Sequence, residues 1–426
     1  MALHVDTVVE IRTTGANTNG GGWANVTPGT SVDYTQQNAP QLALVDIATD
    51  AAGTKLTSAT GGFTAAMEGS VIFLTGGVPA VAEDWYQIIT GGYIDGNNVT
   101  IDRSAGANKA GATGNLGGAY KIGVSAGKDM VFFSNLGGPR DAWIKSGSYG
   151  PMGTNISFPG GGAPTMGRIR GYDAARGDNP TGTDRPLIDM GDWAFNVHGG
   201  HSLEHVRLTG TGANVGEVVY TSSTSFLFNL RVECTGVAAG RHAIYAEGSD
   251  TTLLGCQAST TGSGASYAIY LHQSCKAFHC FAHDSQRGFY LAAASAGVSF
   301  SVADHCEYGF TIAANSTYIH NCLAYSCTYA YRLQGALFCG ALFNNIADAC
   351  TFDFWSDQAA ELEGILTCGN CMDGATNFTM LANWYGNVIG DAGLKNPAAD
   401  DFRVDSHDVN VYELAMELTK FTTAIV

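Results

Sequence analysis

One apolar phrase recurs eight times between Ala194 and Trp355. It runs small or apolar, large apolar, aromatic or polar, then aliphatic. Clear copies are Ala243-Ile244-Tyr245-Ala246, Ala268-Ile269-Tyr270-Leu271 and Gly288-Phe289-Tyr290-Leu291. The starts step by 24, 25, 25, 20, 21, 21 and 22 residues. A fixed period in this range signals a solenoid, because one unit cannot bury its own apolar face and must stack on its neighbours.

A second segment recurs inside each unit. Leu254-Gly255-Cys256-Gln257-Ala258 aligns with Phe278-His279-Cys280-Phe281-Ala282 and with His320-Asn321-Cys322-Leu323-Ala324. Phe300-Ser301-Val302-Ala303 joins this series as a copy shortened by one residue. These short runs alternate in polarity and are bounded by Gly, Ser, Asn and Asp, so they read as strands of about 4–6 residues. Two or three strands per unit leave no room for a helix. The pattern predicts a parallel β-helix with one turn per repeat and equivalent strands about 4.8 Å apart.

Composition supports that reading. The chain has 56 glycines in 426 residues and only 14% charged residues. Sharp corners use the backbone freedom of Gly and Asn, and a long core leaves little place for charge. All 11 cysteines fall between Cys234 and Cys371. Cys256, Cys280 and Cys322 share one repeat position, and Cys306, Cys327 and Cys350 share another. Buried stacks of free thiols are expected, since Cys packs as a small apolar group. Disulfides and a metal site at Cys368-x-x-Cys371 are weaker readings, because no second pair completes a four-thiolate set. The odd count favours folding in a reducing cytoplasm.

Met1 to Arg12 shows no signal-peptide pattern, and no run of about 18 apolar residues suggests a membrane span. The formal charge of −17 argues against nucleic acid as a partner. An extracellular-type scaffold made without an export signal fits a virion protein, assembled in a host cytoplasm and released by lysis.

Near the N-terminus, the strand Val8–Thr14 leads into the glycine-rich turn Gly15–Trp23. About 120 residues later, Ala142-Trp143-Ile144-Lys145-Ser146-Gly147-Ser148-Tyr149 reads as a strand and turn. This pair resembles the opening of pectin-lyase-like β-helix proteins, where the two segments flank a short capping helix and lie closer together. The intervening stretch reads as an insertion. Leu42–Asp46, Lys55–Ser58, Ser70–Leu74, Trp85–Ile89 and Asn98–Asp102 are strands between Gly-rich or Asp-Gly-Asn-Asn turns, which predicts a small antiparallel barrel or sandwich.

The wording of this region, with Asp33-Tyr34-Thr35-Gln36-Gln37 and Gly171–Asp178, is similar to uncharacterised β-helix proteins of environmental tailed phages and some bacteria. The resemblance implies a right-handed helix, a virion or surface role and a parallel homotrimer. The expected organisation is an N-terminal strand and cap over 1–37 and an inserted β-domain over 38–115. The β-helix follows over 116–375, then a tail over 376–426. Within the tail, Val411–Phe421 reads as an amphipathic helix that caps the last turn.

Polysaccharide lyases and glycosidases occur in the superfamily. A uronate lyase needs a Lys or Arg base and commonly carboxylates holding calcium. From Ala194 to Met372 there are one lysine and five arginines, with no clustered acidic run. The best constellation comes from stacking. His283-Asp284 and Asp304-His305 sit at equivalent positions of neighbouring turns, placing His283 against Asp304 and Asp284 against His305, with Arg287 close by. Such pairs can satisfy each other, bind a sugar or metal, or move protons. Mutual satisfaction is the leading reading, and no catalytic assignment is made.

Tyr245, Tyr270 and Tyr290 form one file and Phe289, Phe310 and Tyr331 another. One file must face inward and the other outward. An outward file can pack against a partner subunit, the preferred reading, or bind sugar rings. The expectation is a tailspike- or fibre-like binder of host-surface glycan without strong catalytic apparatus, partnered by other virion proteins, with no cofactor, metal or membrane insertion. The alternatives are a capsid-decorating or tail structural protein and a polysaccharide depolymerase.

Overall fold

A computed structural model describes residues 7–24, 37–134, 141–157, 167–213, 216–236, 240–262, 264–334 and 340–357, with short strands between 365 and 404. The helix expected over Val411–Phe421 lies outside the described residues, as does most of 33–37. The chain divides into two compact units, Met1–Ile188 with Gly200–Val206, and Asp189–Gly199 with Arg207–Val426. The all-β parallel helix and the inserted antiparallel β-domain expected from the sequence are both present.

In the first unit, strand Val8–Ile11 pairs in parallel with Asp141–Lys145, which pairs with Arg168–Tyr172. The two neighbours Val8–Ile11 and Asp141–Lys145 are far apart in the chain, so the segment between them is an insertion. Six of its strands close into a barrel. Five are those read from the sequence; the sixth, Ala112–Leu116, pairs with Leu42–Thr49 and Val71–Gly76. Leu44, Ile47, Ile72, Leu74, Ile88 and Val99 fill the barrel and are almost fully buried. The α-helix Ala126–Ser134 buries Phe132 and Phe133. Phe132 stacks on Tyr120 at 3.8 Å, beside the barrel residue Trp85.

The second unit is a parallel β-helix whose strands form three sheets, taken here in the order first, second and third. Seven of the eight repeat phrases stack in register in the third sheet, from Phe195–Val197 to Tyr329–Leu333; the eighth begins one residue later than read from the sequence, at Asp353, because Phe352 pairs with Tyr329 and Phe354 with Tyr331. The second sheet carries the other sequence register, as in Phe281–His283 and Val302–Asp304. The first sheet consists of short strands such as Thr252–Leu254, Lys276–Phe278 and Gly297–Ser299.

Each sheet stacks its inward residues in exact register, and the three inward files differ in size. Ala258, Ala282, Ala303, Ala324 and Ala347 face in from the second sheet. Ile269, Phe289, Phe310, Tyr331 and Phe354 face in from the third, with successive aromatic rings 4.9, 5.2 and 5.1 Å apart. Aliphatic residues complete the core from the first sheet. Small residues opposite large ones let the layers interdigitate.

Every turn of the helix bends at left-handed corners. Between the first and second sheets these are Asn229, Gly255, His279, Phe300, Asn321 and Asn344, with φ between 50 and 66°. Phe300 therefore holds the corner and Ser299 the strand position before it. Its repeat is full-length, and the expected shortening is corrected. A bulky aromatic at positive φ is unusual enough to hide the register. At most of these corners, and at Ser326 between the second and third sheets, the next residue is a Cys or Ser that turns inward and donates to the carbonyl two residues back. Cys280 Sγ does so to Phe278 O (3.3 Å), Ser301 Oγ to Ser299 O (2.9 Å) and Cys327 Sγ to Tyr325 O (3.4 Å). Cys256, Cys280, Cys306, Cys322, Cys327 and Cys350 thus occupy corner-locking positions, where a small weak donor fits. All eight described cysteines are free thiols, seven of them buried. Cys368 and Cys371 lie where side chains are outside the described residues.

Candidate functional site

The outer face of the third sheet concentrates aromatic side chains. The five-residue strands leave their first and fourth residues partly exposed and bury the others, as in Tyr267–Leu271, except that Thr311 is buried at its fourth position. The fourth positions stack as Tyr220, Tyr245, Tyr270 and Tyr290, followed by Thr311 and Arg332. The first positions stack as His242, Tyr267, Arg287, Tyr308, Tyr329 and Phe352. Phe289 and Phe310 occupy the inward file, so the tyrosine file is the outward one.

Neighbouring rings lie nearly flat on one another. Tyr245 and Tyr270 are 4.2 Å apart at 12°, Tyr270 and Tyr290 5.4 Å at 23°, and Tyr308 and Tyr329 5.0 Å at 9°. Because the ring faces are spent on stacking along the helix, the surface shows ring edges and phenol hydroxyls. Burial, then the neighbouring Tyr245 hydroxyl, pushes the Tyr270 phenol up. Burial also holds His242 neutral, its pKa lowered to about 4.

Two cations are set into this face. Arg287 Nη1 donates to the Tyr267 hydroxyl at 2.8 Å, with its guanidinium 5.0, 5.4 and 5.7 Å from the Tyr267, Tyr290 and Tyr308 rings. Arg332 lies 4.4 Å from the Tyr308 ring and grips Asp357 with two bonds of 3.1 and 2.7 Å. Planar guanidiniums over ring faces gain cation–π attraction and hold the rings rigid. Toward the other end, the Tyr220 hydroxyl bonds Glu247. Burial, then that bond, pushes the Tyr220 phenol up to about 12. Burial and the nearby Glu247 charge raise the Glu217 carboxyl.

The His–Asp constellation lies on the outer side of the second sheet. His283 and Asp304 are register neighbours, as the repeat implies. The His–Asp contacts nevertheless run within each turn. His283 Nδ1 lies 2.9 Å from Asp284, and His305 Nδ1 lies 2.6 Å from Asp304 Oδ1. His283 Nε2 is 3.0 Å from the Gln257 amide. Asp284 and His305 are both corner residues with φ of 48°, which turns each side chain back onto its chain neighbour. Asp304 is 8% exposed and His305 54%, so a shielded carboxylate orients an open imidazole. Among the described residues, no group of three or more His, Cys, Asp or Glu side chains could hold a metal ion.

Tyr245, Tyr270, Tyr290 and Arg287 therefore share one face. His242, Tyr267, Tyr308, Tyr329 and Arg332 belong to it and were not singled out from the sequence. For His242, Tyr267, Tyr308 and Tyr329 the signal was the residue just before each repeat phrase, which is large in nearly every copy.

No family model matches the chain, and no curated protein matches it. Among solved structures, the chain is similar to pectate lyase Pel9A, at 13% identity and a TM-score of 0.46, over 64% of this chain and 82% of that one. It is similar to the A-module of the mannuronan C-5 epimerase AlgE4 of Azotobacter vinelandii, at 11% identity and a TM-score of 0.38, over 63% and 97%. It is also similar to the tailspike protein gp49 of Pseudomonas phage LKA1, at 11% identity and a TM-score of 0.32, over 83% and 64%.

Proposed function

We propose that this chain is a glycan-binding β-helix of the tailspike or fibre type, assembled as a homotrimer in a virion and attaching to host-surface polysaccharide. The third-sheet tyrosine ladder carries this reading. Its hydroxyls repeat at strand spacing of about 4.8 Å, which presents donors and acceptors periodically to a polymer lying along the sheet. Rings clamped by their neighbours and by Arg287 lose little entropy on binding, an advantage tyrosine brings to recognition surfaces generally. The buried free thiols support folding in a reducing compartment, as a virion protein made in a bacterial cytoplasm does.

The test is binding of the purified full chain to a panel of bacterial surface polysaccharides, by calorimetry. Tyr245→Ala and Tyr270→Ala are expected to weaken binding at least about tenfold, the scale of an aromatic anchor. Binding to none of the panel, or binding that both variants leave intact, sinks the proposal.

One observation favours a second reading, glycan cleavage. Burial and then the nearby Glu247 charge raise the Glu217 carboxyl, and a carboxyl held protonated suits general-acid cleavage of a glycosidic bond. Release of reducing ends that Glu217→Gln abolishes would support it; intact polymer after prolonged incubation would remove it.

A further inference from the structure

We infer that the outer face of the first sheet in the β-helix unit is a contact between copies of this chain. Strands Phe226–Phe228, Thr252–Leu254 and Lys276–Phe278 turn alternate residues outward. Phe228, Leu254, Phe278 and Phe343 are half-buried on that face, with Tyr318 beside them. Phe226 and Phe228 stack at 6.0 Å. Tyr318 lies flat on its register neighbour Gly297, where a Cβ would meet the ring at 2.0 Å. The missing side chain lets the ring fill the dip. The ring thus carries the row of apolar side chains across the glycine, which suits a protein partner better than a small ligand seeking a concavity.

Charge identifies the occupant. Along the described first-sheet strands from Phe226 to Phe343, the one formally charged residue is Lys276. The third sheet shows Glu217, Arg287 and Arg332 on its outer positions, and the second shows Arg231 and Glu233. Each chain carries a formal charge of −17. Two such chains repel, and they meet at least cost across the face that contributes almost no charge. A basic partner would gain nothing from a face whose one formally charged strand residue is a lysine. The inference rests on the proposed function only in supposing an assembly; the glycan face is separate from it.

The experiment is sedimentation of the full chain across protein and salt concentration, with the polysaccharide panel run on the same samples. The wild type is expected to self-associate, more tightly as NaCl screens like charges. Phe278→Glu is expected to weaken association at least tenfold. Thr252→Glu, which adds a charge at a half-exposed polar position without deleting a ring, is expected to do the same should the first variant fail to fold. A monomeric wild type overturns the inference. So does association that weakens with salt, or two folded variants that associate normally. A monomer that still binds glycan overturns this inference and the homotrimer, and leaves the glycan-binding reading standing. An assembly indifferent to every glycan overturns only the function.

Discussion

The Tyr245 and Tyr270 rings lie 4.2 Å apart and 12° from parallel, one above the other on adjacent third-sheet strands. Aromatic pairs of this kind contribute about 0.5–1.5 kcal/mol beyond the area they bury. A double-mutant cycle of Tyr245→Ala and Tyr270→Ala, read by urea unfolding, is expected to return a coupling energy of about that size. A coupling near zero would mean that the ladder is not an energetic unit.

The same tyrosines make stability sensitive to alkali. Burial, then the bond to Glu247, raises the Tyr220 phenol to about 12, and burial raises Tyr245 and Tyr270 as well. A raised folded-state pKa favours the protonated form, so this stabilisation is complete below the unfolded value of about 10. It is lost as pH climbs from about 10 through the folded values. The urea midpoint should fall over that range, and Tyr220→Phe should flatten part of the fall. An unchanged slope in the variant would remove Tyr220 as a contributor.

The corner thiols should be chemically silent in the native state. Burial raises Cys322 to about 12 and Cys275 to about 11, and burial with the neighbouring Cys256 holds Cys280 well up. Only the thiolate reacts. A thiol-reactive disulfide at pH 8 should label none of these three in the folded protein and all three in urea, as read by peptide mass spectrometry. Rapid native labelling of Cys280 or Cys322 would contradict the burial.

The third sheet was legible in the sequence because its inward residues are large and recur at every turn. The first sheet was not. Its strands are three or four residues long, and its inward file mixes Leu253, Ala277, Val298 and Ile319, which leaves no repeated word. Its outward phenylalanines consequently went unread. The stacking of His283 over Asp304 followed from the period, but their hydrogen-bond partners did not, because left-handed corners redirect Asp284 and His305. In the barrel, strand Ala112–Leu116 escaped notice through Gly114 and Asn115, both poor strand formers. Packing requires the glycine, since a Cβ there would strike Ile47 at 2.2 Å.

In the first unit, Glu10 is fully buried and its carboxylate is held from several sides. Arg12 Nε donates at 2.7 Å, Arg176 Nε at 2.9 Å, and the Tyr172 hydroxyl donates as well. Removing one partner of a buried pair strands the remaining charges, at a cost of about 3–5 kcal/mol. Glu10→Gln should lower unfolding stability on that scale, and high salt should not abolish the difference, because screening ions do not reach the site. A loss under about 1 kcal/mol, the range of exposed ion pairs, would show that the cluster is open to water.

The corners permit a matched pair of backbone tests. Ala349 is exposed at φ 54°, the corner position held by Asp284, His305 and Ser326 on earlier turns. Gly255 holds φ 66° at the other corner, where an added Cβ would meet nothing nearer than 4.0 Å. Left-handed backbone costs an L-residue roughly 1–2 kcal/mol, while glycine gives back about 0.4–1 through the freedom of the unfolded chain. Ala349→Gly should therefore stabilise by about 0.5–1 kcal/mol and Gly255→Ala should destabilise by a similar amount. Neither change alters a packed contact, so the two must move in opposite directions if backbone strain is the cause. Equal signs would place the effect in side-chain burial, and the corners would then be neutral to their φ.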